Sequence, residues 1–303
     1  MKKLLTLLAL TLLLALTACG GAEDNGDATG GEKEEEVKQL TMGFIPSQEA
    51  DQIADNVKPL EEYLTEQLGV PVKAEVMIDF VGLVEGMRTG KIDIGFTNPF
   101  GYVQAVERAE VEPLVKSIRN GSDTYKAQFI TSVDSGLNSI EDLVAKEGLI
   151  WAFGDTLSTS GYLFPASKLM ELGVADVNTF FKQTAVGGHD NAVLAVLEGQ
   201  ADFATTFDDA RTTIEKDYPE VMEKVKVIGY TDEIPNDGVS VRKGMSEDMK
   251  NKIKEAFLAI NDNPEILAVM NEVYTWDGIA ESTDEEFDVV RAVFEQFKEQ
   301  LEQ

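Results

Sequence analysis

The chain has 303 residues, with 55 acidic against 26 basic side chains and a formal net charge of −29. So acidic a surface disfavours nucleic acid and anionic membrane, and both are set aside as partners. One cysteine, Cys19, and one histidine, His189, leave no material for disulfides or His/Cys zinc clusters, and no cofactor is expected.

In chain order, Lys2 and Lys3 precede an apolar run from Leu4 to Leu16. That run is too short for a spanning helix, which needs about 20 residues, but it suits a secretory signal over residues 1–18. The stretch "LTACG", Leu16 to Gly20, resembles the bacterial lipobox, which makes Cys19 the lipidated first residue of the mature chain. A plain signal peptide cut near Ala18 is the alternative. Two acyl chains would hold such a protein on a membrane where one would be marginal. Residues 19–39 are rich in Gly, Asp and Glu without an apolar run, the composition of a flexible tether. Residues 40–303 suffice for two ordinary domains.

From Leu40 short β-type runs alternate with helical ones. "LTMGFI" is a strand, and residues 50–69 form an amphipathic helix with Ile53, Val57, Leu60, Leu64 and Leu68 on one face. "VKAEVMI" is a strand, "VGLVEGMRTG" a helix, "IDIGFT" a strand and "YVQAVERA" a helix. The order then returns: strand "LIWAFG", helix "GYLFPASKLMELG", a strand within "VNTFFKQTAV", helix "NAVLAVLEG", strand "ADFATTF" and helix "DDARTTIEKD". Matched residues accompany the matched order. "TGKIDIGFT" (Thr89 to Thr97) lies over "EGQADFATT" (Glu198 to Thr206), with Gly90 over Gly199 and Asp93 over Asp202. Two α/β domains of similar topology and mostly parallel pairing are expected.

Ligands of open α/β sheets sit outside the carboxyl ends of the strands. Five strand-to-helix loops should therefore face a common site: Ile45 to Asp51, Thr97 to Tyr102, Asp155 to Gly161, Gly187 to Asn191 and Thr206 to Asp209. The third of them sets Ser158, Thr159 and Ser160 before Gly161, with no lysine or arginine between Asp155 and Pro165. Helix N-termini bind oxyanions through free backbone N–H groups, and hydroxyls add rotatable donors. One hydroxyl would serve an ordinary N-cap; three in a row exceed what a cap requires. His189 follows two glycines at another helix start, which suits an oxyanion donor as well as a structural role. Asp208 and Asp209 are either a solvated first helical turn or a carboxylate that takes the proton of a partly protonated oxyanion, or an amine. No GxSxG elbow or phosphate-loop motif occurs. A serine hydrolase built on His189 stays open on the residues alone.

These segments carry a resemblance. "SIEDLVAKEGLIWAFGDTLSTSGYLFP", "GGHDNAVLAVLEGQADFATTFDDAR", "GKIDIGFTNPFGYV" and "IPNDGVSVRKGM" are similar to the phosphate/phosphite/phosphonate substrate-binding lipoproteins of ABC transporters, with the type II periplasmic-binding-protein fold. The resemblance covers essentially the whole folded part. It implies two Rossmann-like α/β lobes joined by a two-segment hinge, with residues 40–127 plus 240–303 as one lobe and 128–239 as the other. Crossovers are placed near Lys126 to Thr131 and Gly238 to Val241. It implies a non-enzymatic monomer that carries a small phosphorus-containing anion to an ABC permease and its ATPase, lipid-anchored on the outer side of the cell membrane. It assigns Ser158, Thr159 and Ser160 to the phosphorus-bound oxygens, His189 to an oxyanion contact, Asp208 or its neighbour Asp209 to the acidic contact, and Tyr102 to an aromatic cover. Ser47 to Glu49 stay unassigned. A type II binder of another ligand such as a sulfonate, a lipid-anchored hydrolase and a sensor module are the alternatives.

Overall fold

Short runs rich in Val, Ile and Phe, each closed by glycine, polar or proline residues, become eleven strands in the computed structural model, which describes residues 38–45 and 50–301. The signal segment, Cys19, the tether and Ser47 to Glu49 lie outside the described residues. The strands are β1 (Leu40–Phe44), β2 (Val72–Val76), β3 (Ile94–Thr97), β4 (Glu112–Ile118), β5 (Thr124–Ser132), β6 (Ile150–Phe153), β7 (Lys182–Ala185), β8 (Phe203–Phe207), β9 (Val225–Pro235), β10 (Gly238–Val241) and β11 (Gly278–Glu281). One sheet runs β11-β4-β10-β3-β1-β2 and the other β7-β6-β8-β5-β9. Each sheet with its helices is a lobe of a mixed α/β fold.

The pairing is less parallel than the alternating pattern suggests. β1 pairs with β2 and β3 in parallel, as β6 does with β7 and β8. β10 is antiparallel to β3 and β4, β11 to β4, and β5 to β8 and β9. The strands that run against their neighbours include the four on either side of the chain's passages between sheets. The first passage joins β4 to β5 through residues 119–123, where Asn120 and Gly121 take left-handed φ angles of 51° and 76°. The second joins β9 to β10 through Asn236 and Asp237. β5, which contains Lys126 to Thr131, lies wholly in the second sheet, and Gly238 to Val241 wholly in the first. The lobe boundaries expected at 127/128 and 239/240 thus fall inside strands. The turn residues "RNGSD" and "PND" mark the passages instead. Asn236 binds them together: its Nδ2 donates to the carbonyls of Ser117 (3.0 Å) and Ser122 (2.9 Å).

The amphipathic face at Ile53, Val57, Leu60, Leu64 and Leu68 is buried, yet the helix is broken into Ala50–Asn56 and Lys58–Leu68. Pro59 explains the break: it sits in the first turn of the second helix, where its missing N–H is harmless. "DDARTTIEKD" yields only a 3₁₀ turn, Ala210–Thr213. The carboxyl-terminal helices return to the first sheet. Tyr63 donates to the Ala256 carbonyl at 2.9 Å, and Phe294 packs on Phe100 with ring centroids 5.1 Å apart. Aromatic clusters anchor both lobes. Phe44 stacks on Phe96 at 4.3 Å in one, and Trp151 lies between Tyr162 (5.3 Å) and Phe203 (5.8 Å) in the other.

Candidate ligand-binding site

The strand β6 ends at Phe153, and its loop leads into a π-helical turn, Thr159–Leu163, that continues as the helix Phe164–Glu171. Ser158 is the N-cap: its Oγ accepts the Gly161 N–H at 3.0 Å. A side chain at 161 would place its Cβ 2.7 Å from that oxygen, so glycine is what lets the turn close on the serine. The Thr159 and Ser160 amides stand at the first turn, where no intrahelical acceptor reaches them. Across the cleft β3 leads into the helix Pro99–Ala109, capped by Asn98, whose Oδ1 accepts the Gly101 N–H at 2.7 Å.

These two helix starts meet. Thr159 Oγ1 donates to Asn98 Oδ1 (3.0 Å) and accepts the Phe100 N–H (2.8 Å), while Asn98 Nδ2 donates to the Leu157 carbonyl (3.2 Å). Beside this junction lies a cavity of about 30 Å³. It is lined by Ser158, Thr159 and Ser160, by His189, by Asn98, Ile45, Phe80 and Phe207, and by Arg119, Tyr125, Asp237 and Tyr274. All five expected loops contribute at least one of these residues.

His189 opens the helix His189–Leu197 behind Gly188, which offers no side-chain cap. Its Nε2 lies 3.5 Å from Ser158 Oγ, and its ring stands edge-on to Phe207 at 4.9 Å. Burial, seconded by the charge of Arg119, drives its pKa down to about 3, so the ring is neutral at physiological pH. Its Nδ1 is buried without a hydrogen-bond partner among the described residues. Burial and then the charge of Asp237 keep the Tyr125 phenol protonated, against the opposing contact with Ser160. Tyr274, also held protonated by burial, donates to the Ile45 carbonyl at 2.8 Å. Asp237 is pushed up to about 6 by burial, while Arg119 pulls the other way.

The structure brings Ser158, Thr159, Ser160 and His189 to one cavity and leaves three expected residues outside it. Tyr102 is buried in the helix Pro99–Ala109. Its hydroxyl donates to Asp284 (2.5 Å), and its ring packs on Phe287, because a residue one turn into a helix faces that helix's own packing partner. Asp209 is occupied by Arg211, at 2.5 to 3.1 Å, and by Gln128 Nε2 at 3.0 Å. Burial raises its pKa, but these hydrogen bonds outweigh burial and leave it below the usual carboxylate range. Asp208 closes the end of the β5–β8 ladder, accepting the Lys126 N–H at 3.3 Å; burial raises its pKa. Among the polar side chains that do line the cavity, Arg119 and Asp237 come from the two inter-sheet passages and Tyr125 from the start of β5. "RNG" and "NDG" between β-type runs were the available signals for those turns.

The sequence profile of the family described as ABC transporter, phosphonate, periplasmic substrate-binding protein matches residues 42–287. The chain belongs to this family. It is 31% identical over 253 residues to the phosphonates-binding periplasmic protein of Escherichia coli (strain K12), covering 83% of this chain and 74% of that protein. To the phosphate-import protein PhnD of Mycolicibacterium smegmatis it is 32% identical over 216 residues, covering 68% of this chain and 65% of that protein. Among solved structures, the binding-protein component of an ABC phosphonate transporter from Pseudomonas aeruginosa superposes with a TM-score of 0.79 at 29% identity, covering 88% of each chain. Membership makes the chain an extracytoplasmic substrate-binding component of an ABC transporter, from a family of carriers rather than enzymes.

Proposed function

We propose that the cavity captures a small phosphorus oxyanion and that the two lobes close over it by a hinge movement at the two passages. Ser158, Ser160, the free amides of the Thr159–Leu163 turn and the neutral His189 would hold the phosphorus-bound oxygens. Thr159, with its proton given to Asn98 and a lone pair taken by Phe100, would serve closure more than ligand contact. The observation that carries this proposal is the convergence of a hydroxyl-rich helix start and a neutral buried histidine on one interlobe cavity. Its supports from outside are the relatives named for phosphonate and phosphate. Asp237 favours a ligand with a P–OH or amine over an aliphatic sulfonate, which gives a buried carboxylate nothing to accept. The closed receptor would pass its ligand to a permease served by an ATPase, with Cys19 as the lipid anchor and the acidic segment 20–39 as the tether.

Calorimetric titration with phosphate, phosphite, methylphosphonate and 2-aminoethylphosphonate tests this function. At least one is expected to bind with Kd well below about 1 mM. Ser158→Ala is expected to weaken that ligand about tenfold and, because it also removes the cap of the Gly161 N–H, to cost the free protein about 1 kcal/mol of stability while leaving it folded. No binding by any of the four, or unchanged affinity in Ser158→Ala, contradicts it.

A further inference from the structure

The hydroxyl-bearing loop lacks a cation in sequence, yet the fold brings one to it. Arg119 is only 8% exposed and lines the cavity together with Ser158, Ser160 and His189. Its guanidinium lies over the rings of Phe207 (4.8 Å to the centroid) and Tyr125 (5.6 Å). Those faces orient it beside the cavity. Among the described residues no carboxylate forms an ion pair with it, and no carbonyl or hydroxyl accepts from its side chain. Asp237 and Asp208 feel its charge without reaching it. In a chain with 55 acidic residues, a nearly buried arginine without an ion-pair partner is out of keeping with the rest of the surface. Lys116, Arg211, Arg242 and Lys250 all have carboxylates at hydrogen-bond distance. Five N–H donors in a rigid fork, facing a cavity and without a protein acceptor among the described residues, are available to an acceptor that enters it.

We propose that Arg119 is the charge-reading residue of this site. Its guanidinium takes the oxygens of a small tetrahedral oxyanion opposite Ser158 and Ser160, and so selects anions over neutral molecules of the same shape. The backbone makes this economical. Arg119 sits in the first inter-sheet passage, with its N–H and carbonyl fixed to Ser122 at 2.9 and 3.0 Å, so its position is set by the pivot and not by either lobe alone. The strongly negative overall field opposes anion approach at long range. A desolvated cation acts only at contact, where a charge-assisted hydrogen bond is shorter and about twice as strong as a neutral one.

The inference deepens the function proposed above, and one experiment separates the two. Full-length parent, Arg119→Met and Arg119→Lys are titrated with the four phosphorus ligands, with sulfate and with an aliphatic sulfonate. The Tm of each ligand-free protein is recorded alongside. Arg119→Met, close in volume and without charge, is expected to lose about tenfold or more in affinity for every oxyanion that the parent binds. Its ligand-free Tm should be unchanged or higher, because a buried, unpaired charge has been removed. Arg119→Lys should recover part of the loss, since it keeps the charge and gives up the fork. Affinity in Arg119→Met within about threefold of the parent, or a fall in both Tm and affinity that lysine does not mend, overturns the inference and leaves the phosphorus-oxyanion function standing. Binding of sulfonate or sulfate alone, with the same arginine dependence, overturns that function and leaves Arg119 in its role. Binding of none overturns both.

Discussion

Two helix starts face each other across the cleft, built by the same local device and left in opposite states. Asn98-Pro99-Phe100-Gly101 and Ser158-Thr159-Ser160-Gly161 each place a polar cap three residues before a glycine whose N–H it accepts. In the first lobe the remaining donor is taken by protein: the Phe100 N–H goes to Thr159. In the second the amides of Thr159 and Ser160 stay at the cavity wall. On the function proposed above, the same macrodipole would serve closure on one side and the ligand on the other. What separates the two is a single hydroxyl, Thr159, which reaches across and satisfies its neighbour.

That contrast can be broken from either side. Asn98→Ala removes the acceptor of Gly101 and Thr159 and the donor to Leu157 together; a loss of about 2–4 kcal/mol is expected by chemical denaturation. The ligand-free protein should also scatter X-rays as a more open particle. Thr159→Val keeps the shape and deletes the hydroxyl, leaving the Phe100 N–H buried and unpaired, for about 1–3 kcal/mol. If Thr159 were chiefly a ligand contact, this variant would keep its stability and lose only affinity.

A pH-dependent effect separates the two titrating groups of the cavity. His189, with a pKa of about 3 folded against 6.5 unfolded, adds stability that is complete above pH 6.5 and is lost as pH falls toward 3. Asp237, at about 6 folded against 3.8 unfolded, adds stability that is complete below 3.8 and is lost as pH rises through 6. Between about pH 6 and 4 the two oppose each other, each with a slope of up to about 1.4 kcal/mol per pH unit. Relative to the parent, His189→Gln should gain stability as pH falls below 6.5, and Asp237→Asn as pH rises through 6. Parallel Tm profiles for all three proteins would contradict the burial of these groups.

The repeat between the lobes was legible because it rests on residues that act locally. Asp93 and Asp202 occupy equivalent places: Asp93 accepts the Thr41 N–H at 2.9 Å beside β1, and Asp202 the Ile150 N–H at 2.7 Å beside β6. Gly90 and Gly199 share left-handed φ angles of 72° and 73°. The hydroxyl loop was legible too, since cap, glycine and apolar run lie within eight residues. Arg119 and Asp237 were not. The carboxyl-end rule looks to strand-to-helix loops, and both sit in strand-to-strand turns 118 residues apart in sequence, close in space only because the chain passes twice between its sheets. Tyr102 lies away from where its neighbours place it. Its neighbours pointed to the cleft, but helical periodicity turned its side chain toward Asp284.

Under the hinge movement proposed above, Asn236 acquires a thermodynamic role. Its bonds to Ser122 of the opposite passage and to Ser117 near the end of β4 would resist bending there, and the fraction of free receptor found closed would multiply the intrinsic affinity of every ligand alike. A substitution at Asn236 should thus shift the whole set of dissociation constants by one common factor. A substitution at Arg119 should lower affinity for oxyanions without shifting the balance of open and closed receptor. Evolution can in this way tune how tightly the receptor binds without changing what it binds, one residue for strength and another for identity, both carried on the same two turns.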